Sequence, residues 1–141
     1  MTYLSNLKFK ESQSKSVYDE YPARLTATHQ MPPDQMSQTI YEIAYESILK
    51  AKFQRLKEQW KEETLDMSSL TDMVTHRAYL QIIGMGDKAI PLLVDELRKE
   101  PNHWFVALNA ISGDNPIAPE DAGNLERMTE AWLRWADQNE L

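Results

Sequence analysis

The stretch GDKAIPLLVDEL, residues 86–97, carries the signals that decide the fold. Gly84 and Gly86 can adopt the positive φ that ends a helix, and Asp87 is suited to cap the helix that follows. Pro91 then falls in the first turn, where its missing N–H costs no intrahelical hydrogen bond. Apolar residues at three- and four-residue steps predict a helix over about 88–100. Its buried stripe would be Ile90, Leu93, Val94 and Leu97.

A long helix is predicted upstream of this stretch. Residues 37–64 contain no Pro or Gly, and their apolar side chains recur with helical spacing. Ser69, with Asp72 three residues later, resembles a capping box and predicts a further helix that runs to about residue 83. The stripe of the long helix consists of Tyr41, Tyr45, Ile48, Leu49, Phe53, Leu56 and Trp60.

Two more helices are predicted downstream. Asn102 can cap a helix over about 103–112 that Gly113 stops, and a loop with two prolines, 114–123, leads to a final helix that ends near residue 137. No segment alternates convincingly with period two. The predicted fold is therefore all-α: a long helix followed by two helical hairpins, arranged as a short α-solenoid or an irregular bundle.

The first 33 residues differ from the remainder in composition. They are rich in Ser, Thr, Gln and Lys, their apolar residues are scattered, and prolines interrupt them. We interpret 1–33 as an extended arm and 34–141 as the helical domain. The arm either orders on a partner, with Tyr18, Tyr21 and Leu25 among its anchors, or packs on its own domain.

Composition limits the classes of function. A length of 141 residues suggests one domain, and the absence of cysteine excludes disulfides and thiolate chemistry. The chain holds 15 basic and 22 acidic residues, a net charge of −7; the arm is about neutral, so the negative charge belongs to the rest of the chain. Such a charge disfavours direct nucleic-acid binding and suits a basic partner. With no membrane-spanning apolar run and no signal-peptide pattern, we expect a cytoplasmic protein that does not bind membranes.

The stretch from His76 to Pro116 resembles HEAT-type helical hairpins. GDKAIPLLVDEL carries the resemblance, and NHWFVALNAISG (102–113) is similar to the small-residue first helix of a following repeat. Residues 56–135 also resemble a group of small bacterial proteins associated with mobile elements and with toxin–antitoxin or defence neighbourhoods. The resemblance implies a helical scaffold that binds proteins, and no catalytic residues come with it.

Residues that could carry chemistry are few and scattered. The three histidines, His29, His76 and His103, form no H-E-x-x-H or equivalent metal motif. GMGDK (84–88) lacks the pattern of a phosphate-binding loop, and Ser68, Ser69 and Ser112 occur at predicted helix boundaries, where hydroxyls commonly cap. We therefore expect no catalytic residue, no metal and no cofactor.

The tryptophans near the C-terminus are the most distinctive candidates for partner binding. Trp104, Trp132 and Trp135, with His103, are residue types found at binding hot spots, although a core position beneath 103–111 suits the rings as well. The favoured function is a non-enzymatic adaptor, in its most specific form an antitoxin or accessory subunit for a basic nucleic-acid-acting enzyme. The alternatives are an acidic phage or mobile-element inhibitor that mimics nucleic acid, and a small hydrolase or metalloenzyme. The oligomeric state stays open.

Overall fold

The computed structural model describes residues 32–141, which are helical and contain no strand. The predicted all-α class is thus confirmed. The predicted arm, including Tyr18, Tyr21 and Leu25, lies outside the described residues except for its last two positions. By their internal contacts the described residues divide into two compact units, with the division between residues 46 and 47. The α-helices are α1 (Pro33–Glu63), α2 (Leu70–Val74), α3 (Arg77–Gly84), α4 (Ile90–Lys99), α5 (Phe105–Ser112) and α6 (Leu125–Gln138), with 3₁₀ helices at Gly86–Ala89 and Pro119–Asp121.

The long helix α1 is confirmed, but its apolar stripe is buried only in part. Phe53, Leu56 and Trp60 are at most 3% exposed and join the core of the second unit. Ile48, one turn or so earlier in the same unit, is 65% exposed. None of the helices in residues 32–141 is both long enough and apolar enough to cross a membrane.

Aromatic rings form the centre of the core. Trp60, Tyr79 and Trp104 contact one another, with ring centroids 4.4 to 5.7 Å apart. Around them α3 packs on α5, and α4 packs on both α5 and α6. The stripe predicted for α4 is also confirmed, since Leu93, Val94 and Leu97 are buried and Ile90 is half-buried.

Several local predictions can be compared with the structure. The Ser69 hydroxyl accepts the Asp72 N–H at 3.3 Å, as a capping residue should. Gly86 and Gly113 adopt positive φ, whereas Gly84 is the last residue of α3 and does not. The capping role predicted for Asp87 is wrong: this residue lies inside a 3₁₀ helix, and α4 begins after Ala89 with no side-chain cap.

The helix predicted between residues 69 and 83 is in fact two helices. The chain breaks at Thr75 and His76, between α2 and α3. His76 caps α3 through its ring nitrogen. Because histidine is not a common capping residue, the break was not recognised from the sequence.

Candidate partner-binding surface

A shallow, solvent-open pocket of about 550 Å³ lies between α1 and α3. It brings together parts of the chain that are distant in sequence, since Lys52 comes from α1, Thr75 follows α2, and the other lining residues come from α3. The lining residues are Lys52, Thr75, Arg77, Leu80, Gln81 and Gly84. All six belong to the second unit.

The two cations of this pocket have no acidic partner in the part of the chain that the structure describes. Neither Lys52 nor Arg77 makes an ion pair with any residue of 32–141, whereas six of the other basic side chains there do. Residues 47–57 contain four basic residues and no acidic one, but Lys57 among them is neutralised by Glu96. The pocket is therefore a positive site on a chain whose net charge is −7.

Apolar surface adjoins these cations. Leu80 is 51% exposed although it projects from a short helix packed on the core. Ile48 precedes Lys52 by four residues, so both lie on the same side of α1. A protein surface that combines exposed apolar side chains with arginine is well suited to contact another protein.

His76 sets the position at which α3 begins, and hence the position of Arg77. Its Nδ1 accepts the N–H of Ala78 at 3.1 Å, while Nε2 lies 2.7 Å from a carboxylate oxygen of Glu63. Because Nδ1 accepts a hydrogen bond, it carries no proton, and in the neutral ring Nε2 must be the nitrogen that donates to Glu63. His76 therefore joins the end of α1 to the start of α3 and has a structural role beside the pocket.

The tryptophans predicted to bind a partner differ in accessibility. Trp104 is 1% exposed and Trp132 is 0% exposed, so both rings belong to the core. Trp135 is half-buried, contacts Trp132 edge-on at 5.1 Å, and donates from Nε1 to Asp114 at 2.9 Å. Rings that are fully buried can influence binding only by supporting the residues above them.

His103 is half-buried and lies just before α5. Its backbone carbonyl accepts a hydrogen bond from the Tyr79 hydroxyl, and its N–H donates to the Asn102 side chain. Both contacts fix the turn that leads into α5. The backbone of His103 therefore has a structural role, while the His103 ring remains partly accessible.

Acidic residues dominate the C-terminal part of the second unit. Residues 101–141 contain seven acidic and two basic side chains, a net charge of −5. Most of these carboxylates are exposed, among them those of Glu120, Glu126 and Glu140. This acidic surface is distinct in composition from the basic segment 47–57.

The buried carboxylate of Glu96 belongs to the fold rather than to either surface. Burial alone would raise its pKa, but hydrogen bonds from Lys57 and Lys99 outweigh that effect and lower the pKa below its usual value. The Lys57 Nζ lies 3.0 Å from the Glu96 carboxylate, and both side chains are about 10% exposed. The pair connects α1 to α4 inside the second unit.

Among residues 32–141 no group of three or more His, Asp or Glu side chains is arranged to hold a metal ion. Comparison of the chain with protein families, with curated proteins and with solved structures found no match. The pocket between α1 and α3 was not identified from the sequence, because Lys52, Arg77 and Leu80 form no local motif. The one available signal was the run of basic residues without acids in 47–57.

Proposed function

We propose that the protein is a non-enzymatic adaptor that binds another protein, with the pocket between α1 and α3 as one of its contacts. The observation that carries the proposal is the exposed Leu80 beside Lys52 and Arg77, two cations that no carboxylate of residues 32–141 pairs with. These side chains project from helices fixed by the aromatic core, so the surface is ordered before a partner arrives. Ordering before association lowers the entropic cost of binding.

Helix packing supports a HEAT-like arrangement within this proposal. Alternate helices contact each other, α3 with α5 and α4 with α6. Stacked helical hairpins produce contacts of this kind, because each hairpin packs against the next one. Such arrays present preformed surfaces to partners.

The partner we favour is a basic, nucleic-acid-acting enzyme, with the present chain as its antitoxin or accessory subunit in the bacterial cytoplasm. The acidic surface of residues 101–141 supports this choice, since opposite charge accelerates association and disfavours acidic competitors. In this view the chain acts by occupancy: it covers or positions the enzyme and performs no reaction itself.

Photocrosslinking from single positions tests the proposal. A photoreactive phenylalanine derivative placed at Leu80 of the full chain should capture one protein in host cells, identified by mass spectrometry. The same derivative at Gln138, an exposed position on α6, serves as the matched control for non-specific capture. If both positions yield the same diffuse set of adducts, the pocket is not a partner contact and the proposal fails.

A further inference from the structure

We propose that the pocket between α1 and α3 receives an acidic, apolar segment of the partner protein: a short stretch in which Asp or Glu residues flank a large apolar side chain. This inference deepens the proposed function and rests on it for the existence of a partner. An acidic binding segment would not be expected from the negative net charge of the chain alone.

Charge is the first argument. Lys52 and Arg77 line one pocket and no carboxylate among residues 32–141 neutralises them. Arg55 follows Lys52 by three residues and so lies on the same side of α1; it too makes no ion pair with residues 32–141 and adds to the positive charge there. A guanidinium can bind a carboxylate through two parallel hydrogen bonds, and a lysine adds a second, more flexible donor.

Apolar and polar groups surround the cations. Leu80 offers an apolar contact, and the absence of a side chain at Gly84 leaves space, since apart from its chain neighbours and the backbone of α3 no atom lies within 4 Å of where a Cβ would be. The Gln81 amide has no hydrogen-bond partner in residues 32–141 and can bond to a peptide backbone. An inorganic anion would leave Leu80 uncovered. A peptide with both acidic and apolar residues would contact the cations and Leu80, and its backbone would bond to the Gln81 amide.

The pocket's shape also favours a segment of protein over a small molecule. Sites for small ligands usually enclose most of the ligand surface. This pocket is shallow and open to solvent. A chain segment that crosses it remains attached to its own protein at both ends and does not need enclosure.

Peptide binding to the full chain tests the inference. The probe is a fluorescein-labelled peptide, EELLEEL, and the matched control is QQLLQQL. We expect saturable binding of the acidic peptide in fluorescence anisotropy. The double variant K52E/R77E should weaken it by at least about tenfold, because each lost charge contact is replaced by repulsion. The variant L80S should weaken it about fivefold through lost apolar contact.

Matched variants separate a local effect from a change in net charge. The variant K88E/R134E alters the net charge equally at two exposed sites outside the pocket and should change the affinity by less than about twofold. Circular dichroism melts of each variant establish that the helices are intact. K52Q/R77Q provides a second, milder removal of the cations should the glutamate variant unfold.

Three results would overturn the inference. Equal binding of the glutamine peptide would show that carboxylates are not recognised, and displacement by inorganic phosphate at low concentration would show a simple anion site. If sedimentation shows that the unliganded chain self-associates and that K52E/R77E abolishes this, the occupant is a second copy of the chain.

If the acidic peptide does not bind while Leu80 crosslinks to a host protein, the adaptor function stands and only this inference fails. If the peptide binds and no host protein is captured, the pocket chemistry stands without the partner.

Discussion

The Tyr79 hydroxyl donates a hydrogen bond to the backbone carbonyl of His103 at 2.9 Å. The same oxygen accepts the N–H of Ala107, also at 2.9 Å, so one buried phenol joins α3 to the start of α5. Burial raises the pKa of Tyr79 well above its usual value, although the bond from Ala107 acts in the opposite direction. The phenol therefore remains protonated at any physiological pH and keeps both roles.

Replacing Tyr79 with phenylalanine should destabilise the fold. The variant keeps the aromatic ring in the core but leaves the Ala107 N–H without its partner in a buried site. We expect the free energy of unfolding to fall by about 1–3 kcal/mol, the usual cost of a buried unsatisfied group. Urea denaturation measures it. The control Tyr45→Phe changes a half-exposed ring and should cost less than about 0.5 kcal/mol; equal costs would show that the Tyr79 hydroxyl is dispensable.

Glu96 should make stability depend on pH in the acid range. Its pKa is lowered in the folded state, so the unfolded chain, with a glutamate pKa of about 4.3, binds more protons there. The stabilisation is thus fully present above that value and is lost as the pH falls through the lower, folded pKa. Glu96→Gln should lack this component and unfold more easily at neutral pH by about 3 kcal/mol, since Lys57 loses its buried partner.

Urea unfolding of both proteins between pH 7 and about pH 3 measures this difference, which should shrink as the medium becomes acidic. Glu100→Gln is the matched control, because its ion pair with Lys61 is exposed and 3.6 Å long. A constant difference between wild type and Glu96→Gln over the whole range would contradict the prediction.

Two buried tryptophans offer a comparison of satisfied and unsatisfied N–H groups. Trp60 Nε1 donates to the carbonyl of Met73 at 2.7 Å, whereas Trp132 Nε1 is buried with no hydrogen-bond partner among residues 32–141. Both phenylalanine variants lose volume, but only Trp60→Phe also breaks a hydrogen bond. We expect Trp60→Phe to be more destabilising by about 1 kcal/mol in urea or thermal melts. The reverse order would indicate that a water or another group satisfies Trp132.

The sequence predicted features that depend on neighbouring residues and missed those that depend on the packed chain. The cap at Ser69, the first-turn position of Pro91 and the positive φ of Gly113 follow from local backbone requirements. The pocket joins Lys52 to Arg77, which no helical period relates. Likewise, the pattern places Trp132 and Trp135 on one helix face, but only the packing decides that the first is fully buried and the second half-buried.

The acidic surface of residues 101–141 should govern the rate at which the partner captured through Leu80 associates. Neutralising three exposed carboxylates in E120Q/E126Q/E140Q should slow association about three- to tenfold at low ionic strength, with little change in dissociation. Added salt should remove most of the difference, because exposed charges are screened within about 8–10 Å. Stopped-flow measurements over a salt series give both rates.

The control for this prediction is E62Q/D66N/D72N, which removes the same charge from exposed positions outside 101–141. If net charge alone steers the partner, both triple variants will slow association equally. If the acidic surface meets a basic site on the partner, only the first variant will do so, since electrostatic steering depends on where the charges lie relative to the docking face. Unchanged association rates in both variants would remove the electrostatic argument for a basic partner and leave the pocket between α1 and α3 as the sole basis for the adaptor function.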